Sequence, residues 1–454
     1  MPGKQLILTH YGHRYIGFRR DVLHLETLQR NPMDRLLLDC LLNLRLPCEE
    51  TPQTAALLRT GLLQSVPDTV GLDEVALRYA RNPLENISRL IFEYTTLCQL
   101  NCSHCRNGHL RATLETDVAK LQRAVDVVLP LGIRRFDFVG GEVMMYGRGW
   151  LDVLQHIREY PPIIANVLTS GWFLGKTDFN AAGVRYANDN AYLAHLKNSG
   201  LTHVTFSIDG PEELHDQWRG VPGLYRRIIR GFETVRAAGL VPQVSVVLEN
   251  DLSDKQTARW LGELADAIYD FPPGTSPEKR LLRLTTDDIN YISHFIDVGN
   301  AVQLKRGKHR IDAIPDEQLR CKAFFRPAPN LRIKATGELS ICPLLDAGEG
   351  YGNIHEKDLV HLLNHLHESF VFRLHAEHRI ADYRQYLDPE IFGEHVDHVC
   401  SLRSVLTLIA REMEERGVGP GDPEAIHEIN VEVAQRSGFL PPAWKGATGQ
   451  KPLT

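Results

Sequence analysis

The sequence predicts an α/β protein organised on a parallel, barrel-like sheet, and three observations predict it. From residue 90 onward, short apolar and β-branched runs alternate with amphipathic helical stretches, the pattern of repeated β/α units. Polar and glycine-bearing turns follow the ends of these runs, where parallel barrels collect their chemistry. A chain of 454 residues with 43% apolar side chains is long enough for two to three domains and a large core.

Bulk properties narrow the function. The formal net charge of −6 offers no basic footprint for a nucleic acid. No apolar run approaches the ~18 residues of a membrane span. Met1-Pro-Gly-Lys-Gln5 lacks the basic-then-apolar pattern of a signal peptide, so the expectation is a cytoplasmic chain whose eight cysteines are ligands or packed thiols, not disulfides. There are no internal repeats, no Walker A sequence and no G-x-G-x-x-G.

In chain order, residues 1–88 form an N-terminal region. Leu6 to Phe18 alternates as a hairpin would. Leu23 to Leu46 has apolar residues at helical spacing, and Ala55 to Leu63 reads as a second helix. Cys40 and Cys48 read as packed thiols. Residues 89–310 carry the β/α units. Their strands are Leu90–Thr96, Arg135–Val139, Ile163–Leu168, His203–Asp209, Val244–Leu248 and Leu281–Leu284. Helices are read over Glu115–Leu131, Trp150–Tyr160, Asn190–Asn198, Tyr225–Ala238 and Lys255–Tyr269. The polar run after Thr285 and the basic run Lys305–Arg310 read as a solvated linker. Residues 311–416 hold a hairpin, Leu331–Cys342, and a helix, Leu402–Arg416. Residues 417–454, rich in Gly, Pro and charge, read as a surface tail.

The chemistry centres on Cys98-Gln-Leu-Asn-Cys102-Ser-His-Cys105, directly after the first strand. Its C-x3-C-x2-C spacing supplies three thiolates and no fourth. A structural zinc or a closed 4Fe–4S site takes four protein ligands. Three leave one metal position open, and the alternative is a set of buried thiols or a zinc loop missing one partner. The second strand ends in Gly140-Gly141-Glu142. The fourth runs into Ser207-Ile-Asp-Gly-Pro-Glu-Glu-Leu-His215-Asp-Gln-Trp-Arg219-Gly220.

Together these motifs resemble the radical S-adenosylmethionine (radical SAM) superfamily. The resemblance implies a partial (β/α)6 TIM-like barrel and a 4Fe–4S cluster on Cys98, Cys102 and Cys105. It implies S-adenosylmethionine (SAM) on the open iron, split by one electron into methionine and a 5′-deoxyadenosyl radical. An external donor such as flavodoxin or ferredoxin would supply the electron. Glu142, after Gly140 and Gly141, would accept from the SAM ammonium. His104 fills a slot that is usually aromatic in the family, near the adenine. Ser170 and Ser207 would meet the ribose or methionyl part of SAM. Arg219 either holds the SAM carboxylate or fastens its own loop by a salt bridge. Asp209 is either a ligand group or a helix cap.

The "SIDG…HD…RG" run also resembles members with a SPASM or Twitch extension, as do Cys321, the hairpin with Gly337 and Cys342, and Gly352-Asn-Ile354. A full SPASM domain needs a denser cysteine run. The resemblance therefore implies a Twitch-like domain with one auxiliary 4Fe–4S cluster on Cys321, Cys342 and Cys400. Its fourth iron is open or bound by a non-cysteine group such as His395, Asp397 or His398. Residues 1–88 are either a cap on the barrel or similar to the peptide-recognition module of some radical SAM peptide maturases. The expected substrate is a small polar molecule, a sugar or aminocyclitol, dehydrated, dehydrogenated or epimerised at a carbinol carbon in natural-product biosynthesis. Asp209, Glu213, Asp287 and Asp288 are the acid–base candidates. The alternative substrate is a ribosomal precursor peptide.

Overall fold

The computed structural model describes residues 4–8, 32–43, 46–47, 51–59, 63–67, 89–105, 107–108, 117–129, 133–160, 163–248, 254–269, 274–275, 289–294, 309–319, 330–341, 351–364, 368–396 and 399–437. In the N-terminal region, β1 (Lys4–Leu8) lies between β2 (Leu46–Pro47) and β3 (Leu63–Pro67), antiparallel to both. Helices Pro32–Asn43 and Pro52–Arg59 pack against it, burying Leu37, Cys40 and Leu57 with Leu6. The hairpin expected over Leu6–Phe18 falls mostly outside the described residues; the described partners of β1 are β2 and β3.

Among the described residues the main sheet has eight strands. Six form the parallel β/α series: β4 (Arg89–Thr95), β5 (Arg135–Gly140), β6 (Ile164–Thr169), then β9 (His203–Ser207), β10 (Val241–Leu248) and β11 (Ile289–His294). Between β6 and β9 stands an unexpected antiparallel hairpin, β7 (Thr177–Ala181) and β8 (Val184–Asn188). The sixth parallel strand is thus Ile289–His294. The run Leu281–Leu284, expected to be that strand, lies outside the described residues. Helices Val118–Val128, Trp150–Arg158, Asp189–Ser199, Leu224–Ala237 and Asp254–Ile268 follow successive strands, as a β/α series requires.

Period-two alternation decides what each face of the sheet does. Phe92, Phe136, Phe138, Val167, Val204, Phe206, Val244 and Val246 share one core with Leu121, Val125, Val153, Leu193, Ile228 and Leu264 of the helices. The intervening residues, Glu93, Asp137, Asn166, Thr205 and Gln243, are polar and still buried. They line the face away from the helices, which is the lumen side of a barrel sheet.

The C-terminal region joins this sheet. After the two-residue strand β12 (His309–Arg310), β13 (Asn330–Ile333) runs parallel to β4, and β14 (Leu339–Ser340) folds back on it. β12 pairs with β15 (His395–Val396). The helix Val399–Arg416 packs against Pro423–Arg436 through Ile409, Met413, Ile429 and Val433. The second helix replaces much of the expected tail. Asp422 caps its first turn by accepting from the Ala425 amide, and Pro423 starts it. Residues 438–454 lie outside the described set.

Candidate active site

The cysteine loop leaves the C-terminal end of β4, and backbone hydrogen bonds fix its start. The Gly141 amide donates to the Thr95 carbonyl at 2.6 Å, and the Glu142 amide to the Leu97 carbonyl at 2.7 Å. A side chain at Gly140 or Gly141 would put a Cβ 2.2 Å from the Thr95 oxygen or 2.0 Å from the Leu97 oxygen. Gly140 also has φ +136°, outside the range of L side chains. The two glycines therefore let the end of β5 close onto the start of the cysteine loop.

Cys102 is buried, and Cys98 and Cys105 are partly buried. Burial pushes the Cys98 thiol up to about 12. The Leu100 backbone opposes this, and Glu142 and the two other cysteines add to it. The three thiols thus share one dry neighbourhood. Among the described residues, no three Cys, His, Asp or Glu side chains gather tightly enough to close on a single ion. Three thiolates on one loop suit a cluster, where each binds a different iron. Three sulfurs with no fourth protein ligand fit a 4Fe–4S group with one open position.

Glu142 is 1% exposed. It accepts from Thr169 Oγ1 at 2.8 Å, the Ser170 amide at 2.9 Å and Ser170 Oγ at 2.6 Å. Gln99 of the cysteine loop donates to Ser170 Oγ at 3.2 Å. Burial raises the Glu142 carboxyl above its ordinary range, and these hydrogen bonds and Arg219 only partly offset it. Oε2 takes both Ser170 donors, and Oε1, with Thr169 alone, has room for a further one.

Asp209 is fully buried. Its Oδ2 takes Arg219 Nε at 2.6 Å and Nη2 at 2.5 Å, and His104 Nε2 lies 3.1 Å away. Its amide donates to His215 Nδ1 at 3.1 Å. Burial alone would raise the Asp209 carboxyl; Arg219 and His104 more than offset this and hold it below the usual carboxylate range. Burial lowers the His215 imidazole to about 4. Arg219 therefore fastens Asp209 with two of its donors.

Residues 92–267 match the profile of the Radical SAM superfamily. The chain carries a radical SAM domain. Members of that superfamily are enzymes that use a 4Fe–4S cluster and SAM. The AdoMet-dependent heme synthase of Oleidesulfovibrio alaskensis is 31% identical over 169 residues, 36% of this chain and 39% of that protein. The probable GTP 3′,8-cyclase of Methanosarcina mazei is 22% identical over 289 residues, 57% of this chain and 78% of that protein. Among solved structures, SuiB of Streptococcus suis aligns at TM-score 0.40 with 13% identity, covering 82% of this chain and 89% of that one. The chain spans about two fifths of the length of the first heme synthase it matches.

Around the radical SAM domain, the other expected site residues scatter. Ser207 is half-buried at the end of β9, opposite Ser245 of β10. Glu213 is exposed on a helix whose buried residues are His215 and Trp218, so it lies apart from the Asp209 cluster. Asp287, Asp288, Cys321 and Cys342 lie outside the described residues, as do Asp397 and His398. Cys400 heads the helix Val399–Arg416, and Arg403 Nη1 donates to its sulfur at 3.2 Å.

Sequence reading missed the polar lumen. Asn166 Nδ2 donates to Asp137 Oδ1 at 2.9 Å, and Thr205 Oγ1 to Asn166 Oδ1 at 2.8 Å, linking β5, β6 and β9. Arg89 and Arg135 pair with Asp137. Glu93 is bonded by Asn107 and lies 3.5 Å from Arg332 of β13. The signal was in Arg135-Phe-Asp-Phe-Val139, where one polar residue sits at strand period between aromatic ones.

Proposed function

We propose that this chain is a radical SAM enzyme acting on a small, hydroxyl-rich polar molecule of the sugar or aminocyclitol class. Reaction at a carbinol carbon would dehydrate, dehydrogenate or epimerise it. The polar lumen carries this reading: Glu93, Asp137, Asn166, Thr205 and Gln243 face the inside of the sheet beneath the cysteine loop. Asp137, Asn166 and Thr205 bond one another and so stay buried at little cost, forming a fixed polar lining beside which a polar ligand fits better than an apolar one. The relatives' names, heme synthase and GTP 3′,8-cyclase, describe small-molecule chemistry and support the same side.

Cys98, Cys102 and Cys105 would hold the cluster, and Glu142, Ser170, Ser207 and Asp209 would receive SAM. Together the two groups would supply hydrogen-abstraction chemistry at an unactivated C–H bond. The chain's own part is to bind and orient: Glu142 offers a buried acceptor fixed by Ser170 and Thr169, beside a partly buried cysteine loop. A flavodoxin or ferredoxin would provide the electron.

Cys400, with Cys321 and Cys342, would hold one auxiliary cluster. Arg403 supports this, because it bonds both the Cys400 sulfur and the Gln318 carbonyl, three residues before Cys321. A peptide substrate remains the second reading, favoured by the compact N-terminal sheet, whose β3 pairs on one side with β1 and has no other described partner. Incubation with deuterated candidates decides between them. Label from a sugar appearing in 5′-deoxyadenosine supports the first reading; label only from a peptide overturns it.

A further inference from the structure

We propose that His104, Asp209 and Arg219 form a clamp that holds the cysteine loop closed, making His104 a positioning residue for the metal ligands. The proposal rests on the reading of Cys98, Cys102 and Cys105 as a cluster site. It departs from a role for His104 confined to packing beside adenine.

Two adjacent loop residues reach the fourth β/α unit at once. The Ser103 amide donates to the Trp218 carbonyl at 3.0 Å, and His104 Nε2 lies 3.1 Å from Asp209 Oδ2. Both residues sit between Cys102 and Cys105, so any slack there moves two ligands. The His104 ring also packs against Trp218, with centroids 5.6 Å apart. The anchor is stiff. Asp209 is fully buried, and the same Oδ2 is held by two guanidinium donors at 2.6 and 2.5 Å. Its amide is tied to His215 Nδ1 at 3.1 Å. A buried, multiply bonded carboxylate of this kind does not swing to follow a loop; the loop must come to it.

The two oxygens divide the work. Oδ2 carries the clamp, while Oδ1 is buried with no hydrogen-bond partner among the described residues. An orphaned buried acceptor costs free energy unless something donates to it, so the clamp also presents Oδ1 for a donor arriving at the loop. Arg219 stands close enough to Cys102 and Cys105 for their charge to act on it. The clamp therefore places a fixed cation beside two thiolates and joins the first β/α unit to the fourth at the barrel mouth.

The test uses the full chain with His104→Phe and His104→Gln. Phe keeps a ring for stacking and loses the bond; Gln loses the ring and can still donate to Asp209. Three quantities are read: iron release to a chelator under anaerobic conditions, exchange of the Ser103 amide in the iron-free chain, and SAM affinity. The clamp predicts that Phe releases iron about tenfold faster and exposes the Ser103 amide to exchange, with Gln restoring most of both. Parent-like iron release and exchange in the Phe variant, with only SAM affinity lowered, would overturn the clamp. Amide exchange is read without iron, so it decides the clamp even if a Cys98/Cys102/Cys105 triple alanine variant shows that the loop holds no cluster.

Discussion

The neighbourhoods of Cys98–Cys105 and Cys400 are built by opposite means. The first is a contiguous loop pinned by backbone: two amides of the Gly140–Glu142 turn, one amide to Trp218, and two glycines that permit the approach. The second is assembled by side chains from distant helices. Arg403 reaches Cys400 and Gln318; further along the same helix Thr407 Oγ1 lies 3.1 Å from His375 Nε2, and at its far end Glu412 gathers Arg411, Arg416 and Arg436. Backbone pinning tolerates almost any side chain except at the points of closest approach. Side-chain assembly concentrates its dependence in a few buried charges.

The largest expected effect tests the backbone side of this contrast. Gly141→Ala drives a Cβ into the Leu97 oxygen, and the loop must open to accept it. We expect a loss of about 3 kcal/mol or more in chemical denaturation, with iron binding lost alongside. A Gly141→Ala chain that keeps both would break the comparison.

Glu412→Gln tests the side-chain pole. Glu412 is 4% exposed. Burial raises its carboxyl, but hydrogen bonds from Arg436 and Arg411 overcome this and lower it. Substitution should cost about 2 kcal/mol, seen as a lower thermal midpoint, without changing iron held at Cys98–Cys105. Because the folded value is depressed, the stabilisation is complete above the unfolded value of about 4.3 and is lost as pH falls through the folded value.

A third prediction sharpens the contrast through pH. The buried His215 has its value lowered to about 4. The unfolded chain, titrating near 6.5, takes up that proton first, so folding weakens as pH falls between about 6.5 and 4. From pH 7 to 5 this amounts to about 2 kcal/mol. His215→Asn, which can still accept from the Asp209 amide, should flatten that slope. An unchanged slope would remove His215 from the account.

The same contrast explains what the sequence made legible. The cysteine loop, Gly140-Gly-Glu142 and the Ser207–Gly220 run are local words, and their strands alternate plainly. The Asp209–His104 bond spans more than a hundred positions and has no local signature. Ile289–His294 was passed over because its Asn, Ser and His residues read as loop. The β7–β8 hairpin turns at Ala182 and Gly183, both at positive φ, and an alanine gives no turn signal there. The helix Pro423–Arg436 was masked by the Gly- and Pro-rich residues that precede it, although Asp422-Pro423 is itself a helix start.

On the proposed reading, Cys98, Cys102 and Cys105 hold a cluster that cleaves SAM, with a second cluster at Cys400. Anaerobic reconstitution followed by iron counting and reduction with SAM tests it directly, comparing the parent chain with the triple alanine variant of the loop and with Cys400→Ala. The account predicts about eight iron per parent chain and reductant-dependent release of 5′-deoxyadenosine. It predicts that release is abolished in the triple variant, and that Cys400→Ala loses about four iron while keeping its SAM cluster. 5′-Deoxyadenosine released at the parental rate by the triple variant would contradict it.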